Sequence, residues 1–178
     1  MATSRQVYNN TESVDNYLKA ILYLGGGERL RVTSKALAIR LCVTPASVTN
    51  MLQKLAAAPT PMVAYERHRG VQLSASGRLR AMEVLRHHRL IETFLYEVLD
   101  YPINEVHEEA ERLEHFISER FEERIAAKLG HPRIDPHGNL IPTREGEMPE
   151  KSPQDPILLA DEVEDGNCGA VRAKPATD

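Results

Sequence analysis

Of the seven histidines in this 178-residue chain, five lie between positions 87 and 131, and three of those keep helical register with carboxylates. His88 and Glu92 are four apart, so on a helix their side chains leave from neighbouring turns of one face. His107, Glu111, Glu114 and His115 stand at relative positions 0, 4, 7 and 8, again a single face. Two antiparallel helices would gather His88, Glu92 and His107 into one group, with Glu111, Glu114 and His115 a turn or two further along as a second. Imidazole nitrogens and carboxylate oxygens are donors for first-row transition metals, and the carboxylates offset the charge of a divalent ion. Surface salt bridges are the alternative use of these charges, with Glu92, Glu108 and Glu111 paired to Arg89 or Arg112. Metal binding is favoured by the register of six residues together and by none of them singly.

A metal cluster raises the question of hydrolysis. His107-Glu108-Glu109-Ala110-Glu111 begins as the HExxH of zinc proteases does but has Glu where the second His is required. Glu111-Arg112-Leu113-Glu114-His115 lacks the first His of the inverted form. The Glu-x-x-His signature of di-iron bundles is missing too, since Leu85, Asn104 and Arg112 precede the three histidines by three positions. No nucleophile elbow or phosphate-binding glycine loop occurs, and Gly25-Gly26-Gly27 reads as a helix stop. The expectation is a regulatory metal and no enzymatic activity.

The elements that must position these residues read as mainly α. Val14, Tyr17, Leu18, Ile21, Leu22 and Leu24 recur at helical spacing over 13–24. Thr33 can cap a second helix carrying Leu37, Ala38 and Leu41. After a short Cys42-Val43 turn, Thr44 can cap a third, with Pro45 at its first position. Val48, Met51, Leu52 and Leu55 form one face of that third helix. Ser47, Thr49, Asn50, Gln53 and Lys54 form the other, and such groups can meet base edges and phosphates. Two short strands, 62–65 and 71–73, flank the basic loop Glu66-Arg67-His68-Arg69-Gly70. Two helices about a tight turn, followed by a basic hairpin, predict a winged helix-turn-helix whose third helix enters the major groove. Further on, Ser74 caps a long helix to about Leu99, broken by Asp100-Tyr101-Pro102. A helix then runs from about Ile103 to His115, and Ser118 caps another that ends at Gly130-His131-Pro132. From there to Pro156 the aperiodic composition reads as linker, and Ile157 to Val171 carries β-like groups too few to bury a core.

Net charge is −4, which by itself argues against nucleic acid. Divided along the chain, residues 1–73 hold nine basic and four acidic side chains, residues 74–130 eight and twelve, and residues 131–178 five and ten. The first part is thus +5, a footprint suited to phosphate, and the acid lies where cations are expected. Aromatics are 5% with no Trp, and no run approaches the ~18 apolar residues of a membrane span, so a cytoplasmic protein is expected. Cys42 and Cys168 fit neither a metal knuckle nor a disulfide framework and read as reduced thiols.

Several blocks in order resemble the metal-dependent repressors typified by the diphtheria toxin repressor and the manganese transport regulator. They are Tyr17-Leu18-Lys19-Ala20-Ile21, the stretch Thr44-Pro45-Ala46-Ser47-Val48-Thr49-Asn50-Met51-Leu52, His87-His88-Arg89-Leu90-Ile91-Glu92, the run 106–115, and Pro136-His137-Gly138-Asn139. The likeness covers about residues 14–142. It implies a homodimer that binds a palindromic operator on double-stranded DNA when Mn(II) or Fe(II) is present, with no small-molecule substrate and no membrane. It implies a winged helix-turn-helix domain over 1–73 and a helical dimerisation and metal-binding domain over 74–142. Residues 143–178 would be linker and at most the start of an SH3-like β domain. Carried over by position, His88, Glu92 and His107 look like an ancillary metal site, and Glu111, Glu114 and His115 like the activating site, joined by Asn16 of the first helix. Arg89 and Asn139 fall where an anion is held. Thr44, Ala46, Ser47, Thr49, Asn50 and Lys54, with Arg67, His68 and Arg69 of the wing, would contact DNA. An oxygen donor at Glu111, where iron-responsive members place a thiolate, favours Mn(II) over Fe(II), with Zn(II), Co(II) or Cd(II) as substitutes.

Overall fold

The computed structural model describes residues 4–26 and 30–152 of the chain. The segment that resembles the start of an SH3-like domain, and Cys168 within it, lie outside the described residues. Six helices and one hairpin make up the rest. Helix α1 (Ser4–Leu24) begins well before the expected Ser13, because the residues ahead of it carry no apolar period that would reveal a helix. Helices α2 (Ser34–Arg40) and α3 (Pro45–Ala56) start as their caps require. Thr33 Oγ1 accepts from the Ala36 N–H and Thr44 Oγ1 from the Ser47 N–H, each at 3.2 Å. Between them Cys42 adopts φ 52°, and the Val43 N–H donates to the Ala38 carbonyl at 3.1 Å, which turns the chain sharply from α2 into α3.

Strands β1 (Val63–Glu66) and β2 (Gly70–Leu73) pair antiparallel, Val63 opposite Leu73 and Glu66 opposite Gly70. Val32 adds a two-bond bridge to Val71, so the segment before α2 lies against the hairpin. Gly70, at φ 91°, lies so close that a Cβ there would sit 2.5 Å from the Val32 carbonyl oxygen. The hairpin therefore leaves the body of the domain at a fixed angle.

Helix α4 (Ala75–Leu99) is the rod of the molecule. Its Ala81 and Met82 complete the core built by Leu18, Ile21, Leu37, Val48, Leu52, Val63 and Val71. That core crosses the expected boundary between residues 73 and 74. Further along α4, Leu90 packs with Ile125 and Ala126 of α6 (Glu119–Lys128), while Ile91 and Leu95 pack with Val106 and Ala110 of α5 (Ile103–Leu113). One helix thus contributes to all three clusters and fixes how the groups on α5 face α1.

Helix α5 ends within two residues of the expected His115: Glu114 is its C-cap, in helical conformation with its N–H on the Ala110 carbonyl, and His115 begins the turn that follows. The stretch from 133 to 142, whose composition reads as linker but which the resemblance places in the helical domain, is folded: Ile134 pairs with Leu140, Asp135 and Ile141 donate N–H bonds back to Asn139 and Arg133, and Ile141 is buried beside Leu90. A single buried Ile held by local backbone bonds leaves no period to read.

Candidate metal centre and DNA-binding surface

His88 is the hub of the centre. Its Nε2 stands 2.9 Å from Glu92 Oε1 and 3.1 Å from His107 Nδ1, and His107 Nδ1 is 3.1 Å from the same Glu92 oxygen. Its Nδ1 lies 2.6 Å from Glu114 Oε2 and 4.0 Å from Glu111 Oε1. The two groups expected to be a turn or two apart are therefore contiguous, with one imidazole shared between them, because Glu114, about one helical turn beyond Glu111 on the same face, also reaches His88. Burial pushes the His88 imidazole down, but the carboxylates of Glu114 and Glu92 outweigh it and hold the ring's pKa at about 9. Burial likewise pushes Glu92 up, and the imidazoles of His107, His137 and His88 around it reverse this and keep it far below the usual carboxylate range.

The second group is anchored to the DNA-binding half by α1. Lys19 Nζ donates to Glu111 Oε1 at 2.5 Å and to both oxygens of Glu114 at 2.7 and 3.0 Å. His115 Nε2 is 3.3 Å from Glu114 Oε1, and its Nδ1 is 3.4 Å from Asp15 Oδ2. Asp15, 1% exposed, also takes a fork from Arg80 of α4, Nε to Oδ1 at 2.8 Å and Nη2 to Oδ2 at 2.7 Å. Asp15 thereby orients the His115 ring with Nε2 towards the centre, the carboxylate–histidine arrangement that supports metal ligands. Glu111, Glu114 and His115 thus meet through Glu114 rather than as a separate triad. Asn16 lines the same cavity of about 320 Å³ as Lys19, His88, His107 and Glu111.

A third group was not expected. Glu92, Asp135 and His137 bring ligand atoms together on the far side of Glu92. Glu92 Oε2 and Asp135 Oδ2 are buried and accept no hydrogen bond, their nearest charged neighbours being His137 Nδ1 at 3.7 Å and Arg89 Nε at 3.6 Å. Burial pushes the Asp135 carboxyl up, and the charge of Glu92 adds to the rise. Buried carboxylate oxygens without donors, set among imidazoles, fit a divalent cation. Arg89 and Asn139, expected to hold an anion, both face Asp135: Arg89 lies beside its carboxylate and donates to the Leu140 carbonyl, and the Asn139 N–H donates to Asp135 Oδ1 at 2.8 Å.

Lys19, Asp15, Arg80 and His137 are the functional side chains that spacing along α4 and α5 did not reveal. Lys19 follows Asn16 by one helical turn and Asp15 precedes it by one residue, and Lys19 and His137 lie in blocks that carry the family resemblance, which were the available signals; Arg80 had none.

In the helix-turn-helix, Thr44, Ala46, Ser47, Asn50 and Lys54 of the α3 region are exposed and Thr49 is half-buried. Thr44 and Ser47 hydroxyls lie 2.9 Å apart, and Thr49 Oγ1 donates to the Pro45 carbonyl. Arg67, His68 and Arg69 are exposed at the wing tip, where His68 has φ 68°. Glu66 pairs with both Arg31 and Arg69 and steadies the wing from its base. A cleft of about 320 Å³ between wing and recognition helix is lined by Thr33, Thr49, Tyr65, Arg67 and His68.

A winged helix-turn-helix joined through α4 to a helical unit with a carboxylate–imidazole centre defines a DNA-binding fold with a metal-binding domain. The chain belongs to the iron-dependent repressor family. Its model "Iron dependent repressor, N-terminal DNA binding domain" matches residues 9–71, and "Iron dependent repressor, metal binding and dimerisation domain" matches residues 74–143. The iron-dependent repressor IdeR of Mycobacterium tuberculosis is 45% identical over 80 residues, 45% of this chain and 34% of that protein. The chain thus spans about a third of the length of the curated relatives it matches. A solved manganese-dependent transcriptional repressor in complex with manganese superposes with a TM-score of 0.69 at 41% identity, over 78% of this chain and 62% of that one. ScaR with bound Zn2+ gives 0.67 at 37%, over 78% and 63%.

Proposed function

We propose that the chain is a metal-dependent transcriptional regulator that binds operator DNA as a homodimer when its metal centre is filled, and is not an enzyme. The observation that carries this is where the carboxylate cage sits. Glu111 and Glu114 belong to α5 and the turn after it, yet their partner Lys19, and Asn16 on the same cavity, belong to α1 of the DNA-binding half. Asn16, Glu111, Glu114 and His115 would hold the activating ion, and His88, Glu92 and His107 the ancillary one, with Asp135 and His137 available to the latter. When bound, the ion supplies positive charge that side chains of α1 and α5 share.

The chain's own residues do the rest. Helix α1 packs on α2, and α2 on α3, so a change in how α1 sits on α5 is passed to the recognition helix. In a dimer this would match the two recognition helices to successive major grooves of a palindromic site, about 34 Å or a multiple apart. Leu99, Phe116 and Phe121, each at least half exposed, would be covered by the second copy. Arg89 and Asn139, which border the Asp135 carboxylate, would hold an anion beside the ancillary ion. Glu111 and Glu114 offer hard oxygen donors, which favours Mn(II), with Fe(II) the alternative. The oxygen-rich centre and the likeness to a repressor described as manganese-dependent support that order.

Operator binding by wild type and Glu114→Ala, each with and without Mn(II), tests the reading. Wild type should tighten with metal and the variant should not; equal affinity in all four conditions refutes it. Repeating the titration with Fe(II) decides between the two ions. On the DNA side, Lys54→Ala and Arg69→Ala should weaken binding to all sequences and flatten its salt dependence, while Asn50→Ala changes base preference.

A further inference from the structure

Lys19 lies inside the cage that the metal is to occupy. Its Nζ is within 3.0 Å of three carboxylate oxygens, one from Glu111 and two from Glu114. Its side chain is only 18% exposed and Glu114 is fully buried, so the contact is screened little by water. Lys19 follows Asn16 by one turn of α1, and both line the cavity onto which His88 and His107 also face. The ammonium therefore comes from the same direction as the ligand expected from α1.

We propose that Lys19 is a tethered competitor of the metal: its ammonium occupies Glu111 and Glu114 in the metal-free chain and leaves them when a divalent ion binds. The lysine thereby sets the metal concentration at which the centre fills. This rests on reading the cage as the activating metal site. Charge and space both support exclusion. Glu111 and Glu114 carry two negative charges, which a divalent ion with neutral Asn16 and His115 would balance. An ammonium retained on the same oxygens would leave a surplus positive charge a few ångströms from the ion in a poorly solvated site. The oxygens contacting Nζ are also those a metal would need. The adjoining cavity, about 320 Å³ and bordered by Leu22, Tyr23 and Arg40, gives the lysine stem room to swing aside with its charge intact. Metal-free, the same ammonium keeps two carboxylates from repelling each other and links α1 to α5 without metal.

The test is Mn(II) affinity of the full chain at pH 7 by calorimetry, together with thermal unfolding of the metal-free protein. Lys19→Gln should bind Mn(II) on the order of tenfold more tightly, the size expected when charge-assisted hydrogen bonds no longer compete. It should also unfold at lower temperature without metal. Lys19→Arg, which keeps the charge, should remain within about threefold of wild type. Lys19→Met, which keeps the apolar stem, provides the same comparison should the glutamine variant not fold. Equal or weaker binding by the neutral variants overturns the proposal, as does an equal gain in the arginine variant. Absence of Mn(II) uptake by wild type and neutral variants alike would instead overturn the metal reading beneath it.

Discussion

Asp15→Asn probes the joint on which both halves of the molecule depend. Asp15 is 1% exposed and receives two short bonds from the Arg80 guanidinium, at 2.8 and 2.7 Å, and a longer one from His115 at 3.4 Å. Asparagine keeps one oxygen but turns an NH2 group towards the other guanidinium N–H and removes the charge. A charge-assisted bond contributes about 1.5–3 kcal/mol. Arg80 is 27% exposed and also reaches Glu83 at 3.0 Å, so water and Glu83 recover part of the loss and about 2 kcal/mol is expected. For a chain of this length that lowers Tm by about 4–8 °C. Burial pushes the Asp15 carboxyl up, but the bonds from His115 and Arg80 win and hold it below its ordinary value. Its stabilisation is therefore present above the ordinary aspartate pKa and lost as pH falls through the lowered one, so the gap between wild type and variant should close in acid. Urea unfolding of the metal-free chain at pH 7 measures the loss, with Glu83→Gln as a control expected within about 0.5 kcal/mol of wild type. Because Asp15 also aims the His115 ring, Mn(II) affinity should fall by about 10–100-fold. A stability change under about 0.5 kcal/mol together with unaltered Mn(II) affinity would refute the role given to Asp15.

Gly77→Ala would place a Cβ 1.9 Å from the Met62 carbonyl oxygen, where α4 begins against the hairpin. The Met62 carbonyl is held by the Ser74 N–H, so a loss of about 3 kcal/mol or more is expected in the urea midpoint, against about 1 kcal/mol for Ser76→Ala, which gives up hydrogen bonds to Pro61 and Ser74. For Glu122, burial pushes the carboxyl up, but hydrogen bonds from His87 and Arg86, at 3.1 and 2.6 Å, bring it below its ordinary value. Stability should consequently fall as pH drops below the usual glutamate range, and Glu122→Gln should show a flatter pH profile at lower neutral stability, measured as urea midpoint against pH.

The architecture was legible because its signals are local. Thr33, Thr44, Ser74 and Ser118 each cap the helix that follows them, and the apolar spacing of Val48, Leu52 and Leu55 marks the recognition helix whatever surrounds it. The basic loop Arg67 to Arg69 stands at the tip of a hairpin, as its composition implied. Register alone also put His88, Glu92 and His107 in one group, since a helix spacing of four and an antiparallel neighbour leave few other arrangements.

Contacts between elements far apart in sequence had to come from the fold. Glu114 reaches Lys19 over 95 positions and His115 reaches Asp15 over 100, and no periodicity within α1 or α5 encodes either meeting. Glu114, the C-cap of α5, reaches across to His88 of α4, merging two expected sites into one continuous centre. Asp135 and His137 join Glu92 only because the stretch around them folds onto α4 and buries Ile141. The residue types and their spacing thus determined that this chain could bind a cation and DNA. Which carboxylates share an imidazole, and which lysine stands in the metal's place, depended on how α4 joins the apolar clusters along it, because electrostatic partners are chosen by distance through space and not along the chain.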